Sequence, residues 1–338
     1  MKNRKGGLLY NICFWTVLLT YSVYALLDTF VIPHEISAVD TTKTGSLTTG
    51  QATNQTASQT TGKTTDETTD QATSQKTAQS AGQTNSTSAA TGGTYTDNSY
   101  IDDNISITIE TKTIDNTKVY IADVTLSDAS YLQTALAKDA FGTNVTETTS
   151  SQAEAKNAIL AVNGDYYGAN KSGYVIKNGT IYRDSVRSDS ENDDLVIYED
   201  GSFGIINERE LSAEELLEDG VTQLFAFGPT LVEKGEIAVD ENTEVGKAMS
   251  SNPRTAIGII DDLHYVIVVA DGRSSESQGL SLYELAEVMQ DYGCTTAYNL
   301  DGGGSSTMYF NGQVINNPTT NGKTFKEREV SDIVYIGY

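Results

Sequence analysis

The sequence predicts an α+β fold: a mixed, strand-rich sheet with few helices, forming a single compact domain over residues 99–338. Three observations carry this. Short apolar runs rich in Val, Ile and Tyr recur between clusters of Gly, Asn and Asp from Ile105 to Ile336, as strands bounded by turns do. Stretches with a helical apolar stripe are few. No internal repeat is visible, and roughly 240 residues suffice for one core.

Ahead of this domain, Lys2, Arg4 and Lys5 precede an apolar run from Leu8 to about Ile32. That run meets the roughly 20 residues a membrane span needs. The leading cations place the N-terminus inside and the remainder outside. Residues 1–36 therefore read as a cytoplasmic tip and single-pass membrane anchor, with the folded domain extracytoplasmic. The competing reading is a cleaved signal peptide with Val23-Tyr24-Ala25 as its processing site. Residues 37–98 follow as a stalk. From Thr41 to Thr94 they are nearly all Thr, Ser, Gln, Ala, Gly and Asn. Such a composition buries too little apolar surface to offset chain entropy, so disorder is expected.

Within the domain, Ile105–Ile109 alternates cleanly, as a half-buried strand should, and Lys118–Leu126 is a second candidate. A helix over Ser151–Asn157 leads into a strand at Ala158–Val162. Short strands follow at Tyr174–Lys177, Thr180–Tyr182, Leu195–Tyr198 and Phe203–Ile206, with Asn178-Gly179 as a hairpin turn. Ser212 and Glu215 have the spacing of a capping box for a helix to Glu218. Strands are expected at Thr222–Phe227, Thr255–Ile260 and Tyr265–Ala270. Leu282–Tyr292 is the clearest helix, with Ser281 and Glu284 at its start, one apolar stripe, and Gly293 to close it. Strands at Thr295–Leu300, Ser306–Phe310, Gln313–Ile315 and Ile333–Ile336 complete the chain, with Asn311-Gly312 as another turn.

Charge and composition then restrict function. The net charge is −24, and residues 1–98 hold six basic against seven acidic side chains, so −23 falls on residues 99–338. A domain this acidic repels phosphate backbones at long range, which disfavours nucleic acid as a partner. An anionic substrate must be met by local Arg or backbone N–H groups. With two Cys and two His in 338 residues, neither a disulfide scaffold nor a multi-His or Cys-rich metal site can be built. Chemistry has to rest on carboxylates, Arg, Tyr and backbone dipoles. His264 and Cys294 read as structural residues of a strand and of a small apolar contact.

Three segments share one design, an apolar strand that stops at Gly beside a carboxylate. They are Asn163-Gly164-Asp165-Tyr166-Tyr167, Asp271-Gly272-Arg273, and Asn299-Leu300-Asp301-Gly302-Gly303-Gly304-Ser305-Ser306. A single Asp-Gly is usually an ordinary turn. Three successive glycines exceed what a turn needs and suit close backbone approach to a ligand or several N–H groups aimed at an anion. Arg254 and Arg273, at strand ends in so acidic a domain, are candidates for a phosphate fork or for pairing with neighbouring carboxylates.

Asn163 to Tyr167, Asn252-Pro253-Arg254-Thr255-Ala256-Ile257-Gly258, Asp271-Gly272-Arg273 with Gly279 to Ala286, and Gly293 to Met308 stand in the order and approximate spacing of the phosphodiester glycosidase family. The C-terminal Val330–Tyr335 also looks like that family's closing strand. The resemblance covers residues 100–338 and is similar in pattern to bacterial members associated with exopolysaccharide biosynthesis. It implies an enzyme that hydrolyses sugar-1-phosphodiesters, releasing the sugar and leaving a phosphomonoester. It also points to a phosphodiester-linked glycan of a bacterial envelope or extracellular polymer as substrate. The residue inventory fits: Asp165, Asp301 and Asp271 as catalytic carboxylates, with Arg254, Arg273 and the Gly302, Gly303 and Gly304 amides on the departing phosphate. Asn163, Asn299, Ser305 and Tyr166 are the remaining binding candidates. No cofactor is required, although the three Asp could hold a structural Ca²⁺ or Mg²⁺. Two other readings stay open: a non-catalytic carbohydrate-binding module, and a metal-dependent phosphoesterase.

Overall fold

The computed structural model describes residues 3–38, 92–187, 193–244 and 251–338. Four α-helices lie among them: α1 (Asn3–Phe30), α2 (Thr149–Ala155), α3 (Ala213–Glu218) and α4 (Leu282–Asp291). Strands dominate the rest, so the α+β expectation holds. Every strand pairing among the described residues is antiparallel, where a mixed sheet was expected. Parallel neighbours need long crossovers. Here the chain instead turns back through tight hairpins, such as Asn178-Gly179 and Asn311-Gly312, whose four residues all have positive φ.

A nine-stranded sheet runs in the order 236–237, 230–233, 296–299, 254–261, 264–270, 117–126, 105–114, 99–101, 94–95. A five-stranded sheet runs 313–314, 308–310, 160–163, 332–336, 132–136. The two face each other across the main core. Ile107, Val124, Ile267 and Tyr298 from the larger sheet meet Leu160, Val162, Phe310, Val334 and Ile336 from the smaller. On the outer face of the large sheet, Leu282, Leu285, Ala286 and Met289 of α4 cover Ile121, Val266 and Val268. Ala153 of α2 covers Ala161, Ile333 and Tyr335 on the outer face of the small sheet. The domain is thus layered helix, sheet, sheet, helix. His264–Ala270 is apolar at nearly every position because it is covered on both faces. Tyr265, Ile267 and Val269 enter one core, and Val266, Val268 and Ala270 the other.

Both capping boxes form, Ser212 with Glu215 and Ser281 with Glu284. Two strands of four or more residues escaped the sequence reading, Leu132–Leu136 and Thr230–Glu233. The first carries Leu, Gln and Ala, good helix formers whose preference the neighbouring strand overrides. The large sheet also gathers Thr94–Tyr95 at its edge, ahead of the expected boundary at residue 99. Most of the stretch expected to be a stalk, residues 39–91, lies outside the described residues.

The apolar run expected to span a membrane does form a helix, α1. Among the described residues, however, no helix is long and apolar enough to cross a membrane. Thr16, Thr20 and Ser22 interrupt α1, and Thr20 and Ser22 return their hydroxyls to carbonyls four residues back. Beyond α1 the chain docks on the domain. His34–Glu35 pairs with Gly142–Thr143, and Asn144 Nδ2 donates to the Thr29 and Ile32 carbonyls at 3.1 and 3.3 Å.

Candidate active site

One strand from each sheet ends at the same seam. Leu160–Asn163 belongs to the small sheet and Thr296–Asn299 to the large one. Just past their ends the Asp301 amide donates to the Gly164 carbonyl at 3.3 Å. The buried Asn163 side chain secures the crossing. Its Nδ2 donates to the Asp301 carbonyl at 2.6 Å, while its Oδ1 accepts from Thr255 Oγ1 at 2.8 Å and from the Thr307 amide at 3.3 Å. Asp165 and Asp301, each immediately beyond this knot, line one cavity of about 210 Å³. Tyr166, Ser305, Arg328 and Asn144 share its wall.

The two carboxylates have different surroundings. Asp165 accepts the Tyr167 amide at 3.0 Å and the Ala226 amide at 3.1 Å. Behind it lies Lys177, its side chain 1% exposed, with Nζ 3.6 Å from Asp165 and 2.8 Å from Asp332, and over the Phe225 ring at 4.0 Å. Burial opposes the Lys177 charge, but the two carboxylates outweigh it and raise its pKa. Gly164 is required beside this cluster because a Cβ would stand 2.5 Å from the Asp332 carboxyl.

Asp301 instead meets a cation at the cavity. Its Oδ2 accepts from Arg328 Nη2 at 2.8 Å, and the same guanidinium donates from Nε to Ser305 Oγ at 2.8 Å. Burial raises the Asp301 pKa while Arg328 pulls it down. The Arg328 side chain remains 39% exposed, enough to meet a ligand as well as Asp301. Arg328 had no sequence signature. It sits in Lys326-Glu327-Arg328-Glu329, which reads as a solvated charge run, and only the folded chain carries it to the glycine turn.

The other expected site residues lie around the cavity rather than in it. Asp271 accepts from Asn316 Nδ2 at 3.1 Å and the Asn317 amide at 2.9 Å, so its carboxylate holds the 316–317 segment. The buried Arg254 donates from Nε to the Leu280 carbonyl at 2.9 Å, with Glu244 at 3.4 Å. Arg273 bonds Asn252 Oδ1 at 3.1 Å and the Thr320 carbonyl at 2.7 Å. Asn299 donates to the Gly228 carbonyl at 2.7 Å. The three glycines answer to packing. Gly302 leaves 2.8 Å between a Cβ position and the Pro253 carbonyl oxygen, Gly303 has φ +63° with Arg273 at 2.8 Å, and Gly304 abuts Thr320. The Gly303 amide is already committed to the Pro253 carbonyl at 2.8 Å. Among the described residues no three His, Cys, Asp or Glu side chains gather to hold a metal ion, so Asp165, Asp271 and Asp301 do not form a common ligand set.

Fold and site together define an α+β domain whose two sheets meet at a seam bearing two carboxylates and a guanidinium around a small polar cavity. The sequence model of the phosphodiester glycosidase family matches residues 156–337, and the chain belongs to that family. An SPbeta prophage-derived uncharacterized protein of Bacillus subtilis, YomE, is 33% identical over 201 residues, covering 59% of this chain and 31% of that one. The human N-acetylglucosamine-1-phosphodiester alpha-N-acetylglucosaminidase is 30% identical over 187 residues, covering 51% of this chain and 36% of the enzyme. The matched region thus spans about a third of the length of these relatives. A solved structure of the zebrafish enzyme's catalytic domain, auto-inhibited by its pro-peptide, superposes with a TM-score of 0.55 at 23% identity. It covers 69% of this chain and 83% of that one.

Proposed function

We propose that the domain hydrolyses sugar-1-phosphodiesters, releasing the sugar and leaving a phosphomonoester, within cell-envelope or extracellular glycopolymers. The observation that carries this reading is the cavity itself: Asp165, Asp301 and Arg328 converge on a space suited to one sugar ring. Family membership and the named activity of the animal relatives support it.

The chemistry follows from those groups. Water adds its oxygen to the anomeric carbon as the bond to the phosphate oxygen breaks, and the electron pair leaves with the phosphate. One of Asp165 and Asp301 acts as base toward that water, or as a nucleophile that first displaces the phosphate to form a glycosyl ester which water then cleaves, and the other orients the sugar. The proton lost by water passes through that carboxylate to solvent. A phosphate is a good leaving group, so charge stabilisation matters more than protonation of the departing oxygen. Arg328 at the cavity supplies it.

Product analysis tests the reading. The full-length chain incubated with a GlcNAc-1-phosphodiester should yield free reducing sugar and a phosphomonoester, and Asp301→Asn should abolish this without loss of fold. Sugar 1-phosphate as product, or no turnover of any such diester, rejects it. Placement of the domain outside a bacterial cell membrane, tethered through the N-terminal segment, is part of the same proposal. Protease digestion of intact cells reads it directly.

A further inference from the structure

The helix α1 is apolar on every side. Trp15, Val17, Leu18, Leu19, Val23 and Leu27 are all exposed, and at about 100° per residue they point all round the axis. A protein partner covers one stripe of a helix, as the large sheet does for α4. Cover on every side calls for an apolar surround. The hydroxyls of α1 are served as such a surround requires: Thr20 Oγ1 donates to the Thr16 carbonyl at 2.8 Å and Ser22 Oγ to the Leu18 carbonyl at 2.9 Å. Lys2, Arg4 and Lys5 at its start suit phosphate headgroups. The occupant that meets all three features is a lipid bilayer. Immersion in one leaflet is enough, with no full crossing required.

The chain leaving α1 is bonded to the domain at once. The Thr29 and Ile32 carbonyls accept from Asn144 Nδ2, His34–Glu35 pairs with Gly142–Thr143, and the Ile36 amide donates to the Phe141 carbonyl at 2.7 Å. The sequence is built for this contact. A Cβ at Gly142 would overlap the His34 carbonyl oxygen, and Asn144 turns at φ +58°, which Asn tolerates better than most residues. Asn144 also lines the cavity of Asp165 and Asp301. One side chain thus joins the last turn of α1 to the wall of the candidate active site.

The expected stalk cannot then set the height of the domain above a membrane. Ahead of it, residues 34–36 are fixed to the domain. After it, Thr94–Tyr95 pairs with Tyr100 and Ile101, and Tyr95 packs on Phe310. Charge would not hold the domain at a lipid surface, because a chain of net charge −24 is repelled by anionic headgroups. The docked strand and the Asn144 amide do.

We propose that the cavity faces the lipid surface in which α1 is seated, and that its substrate is a sugar-1-phosphodiester carried by a lipid of that same membrane. This rests on the hydrolase reading above. The oxygen of water joins the anomeric carbon, the anomeric bond to the phosphate oxygen breaks, and the sugar departs while the phosphomonoester stays on its lipid. The proton of the water goes to solvent. With the arm docked, residues 31–36 link α1 to the cavity wall. Undocked, the link runs on to residue 93 and is about ten times longer. Local concentration falls roughly as the −3/2 power of tether length, a loss of about tenfold or more.

The full-length chain, reconstituted in phosphatidylcholine–phosphatidylglycerol vesicles, tests this with two substrates. One is GlcNAc-1-phosphate esterified to diacylglycerol in the same vesicles. The other is GlcNAc-1-phosphate esterified to free glycerol in solution. Two variants undock the arm: Gly142→Ala, whose added carbon has arm atoms as its nearest neighbours, and Ile36→Pro, which deletes the amide bonded to Phe141. Each should lower turnover of the lipid substrate about tenfold and leave the glycerol diester within about twofold. An equal loss on both substrates, or no loss on the lipid, overturns the proposal. So does a wild type that cleaves the glycerol diester and not the lipid. If the wild type cleaves neither, the hydrolase reading fails and depth decides the geometry. A dye attached through Tyr166→Cys in a Cys13→Ser background should be quenched by lipid carrying a headgroup nitroxide, and less so once Gly142→Ala is added. Quenching that is absent, or the same with and without G142A, rejects a membrane-facing site.

Discussion

Replacing Lys177 with Met removes the cation of a buried cluster while keeping most of its volume. The pair it forms with Asp332 is 2.8 Å long, and the two side chains are 1% and 0% exposed. Asp165 would keep its two backbone amides. Asp332, whose side chain is fully buried, would be left without its cation. Breaking a buried pair from one side costs about 3–5 kcal/mol, a large part of the roughly 5–15 kcal/mol available to a domain. The cost should depend on pH. Burial pushes the Asp332 carboxyl up from 3.8 to about 7, against the pull of Lys177. The native state therefore holds that proton more tightly than the unfolded chain. Its contribution to stability is full below about pH 4 and is lost as pH rises through 7. Without Lys177 the carboxyl rises further and stays neutral at mild acidity, so the variant should lose less at pH 5 than at pH 8. Urea unfolding at both values measures this, with Lys177→Arg as a control that keeps the charge. A loss under about 1 kcal/mol at both pH values, or the same loss at each, would refute the reasoning.

Arg328→Ala should lower kcat about 10²–10³-fold, as expected for a charge-stabilising donor. Arg254→Ala should leave kcat within a few-fold and cost about 2 kcal/mol in denaturation instead, because its buried guanidinium serves the Leu280 carbonyl. Gly303→Ala forces a side chain into φ +63° against Arg273 and should cost about 1–2 kcal/mol, read as a lowered urea midpoint. Ser281→Ala, which deletes the α4 cap, should cost about 1 kcal/mol with activity unchanged.

What could be read beforehand was local. The α4 stripe, both capping boxes and the Asn-Gly hairpins are encoded within a few residues, and each forms where expected. Asp165 and Asp301 were visible because each follows an apolar strand that stops at glycine. Roles set by distant partners were hidden. Lys177 ends the expected strand before Asn178-Gly179 and nothing adjacent in sequence marks it, yet two carboxylates from remote segments draw it fully inside. Asp271 and Arg254 look like Asp165 and Arg328 in composition. What separates them is the Asn316–Asn317 segment and the Leu280 carbonyl, neither of which is near in sequence. The triple glycine was legible as a place of close approach, but its neighbours turn out to be Pro253, Arg273 and Thr320.

The Asn163 amide has a consequence for how such a domain can diversify. It offers one hydroxyl acceptor, one N–H acceptor and one carbonyl donor to three separate stretches of chain. A slip of one residue in any of those stretches would present the opposite face of the backbone and leave buried polar atoms without partners. The longer connections that lead to this crossing can lengthen or shorten, but the count of residues from Asp301 to Thr307 cannot. Insertions can reshape what the protein accepts while the spacing of its two acids stays fixed.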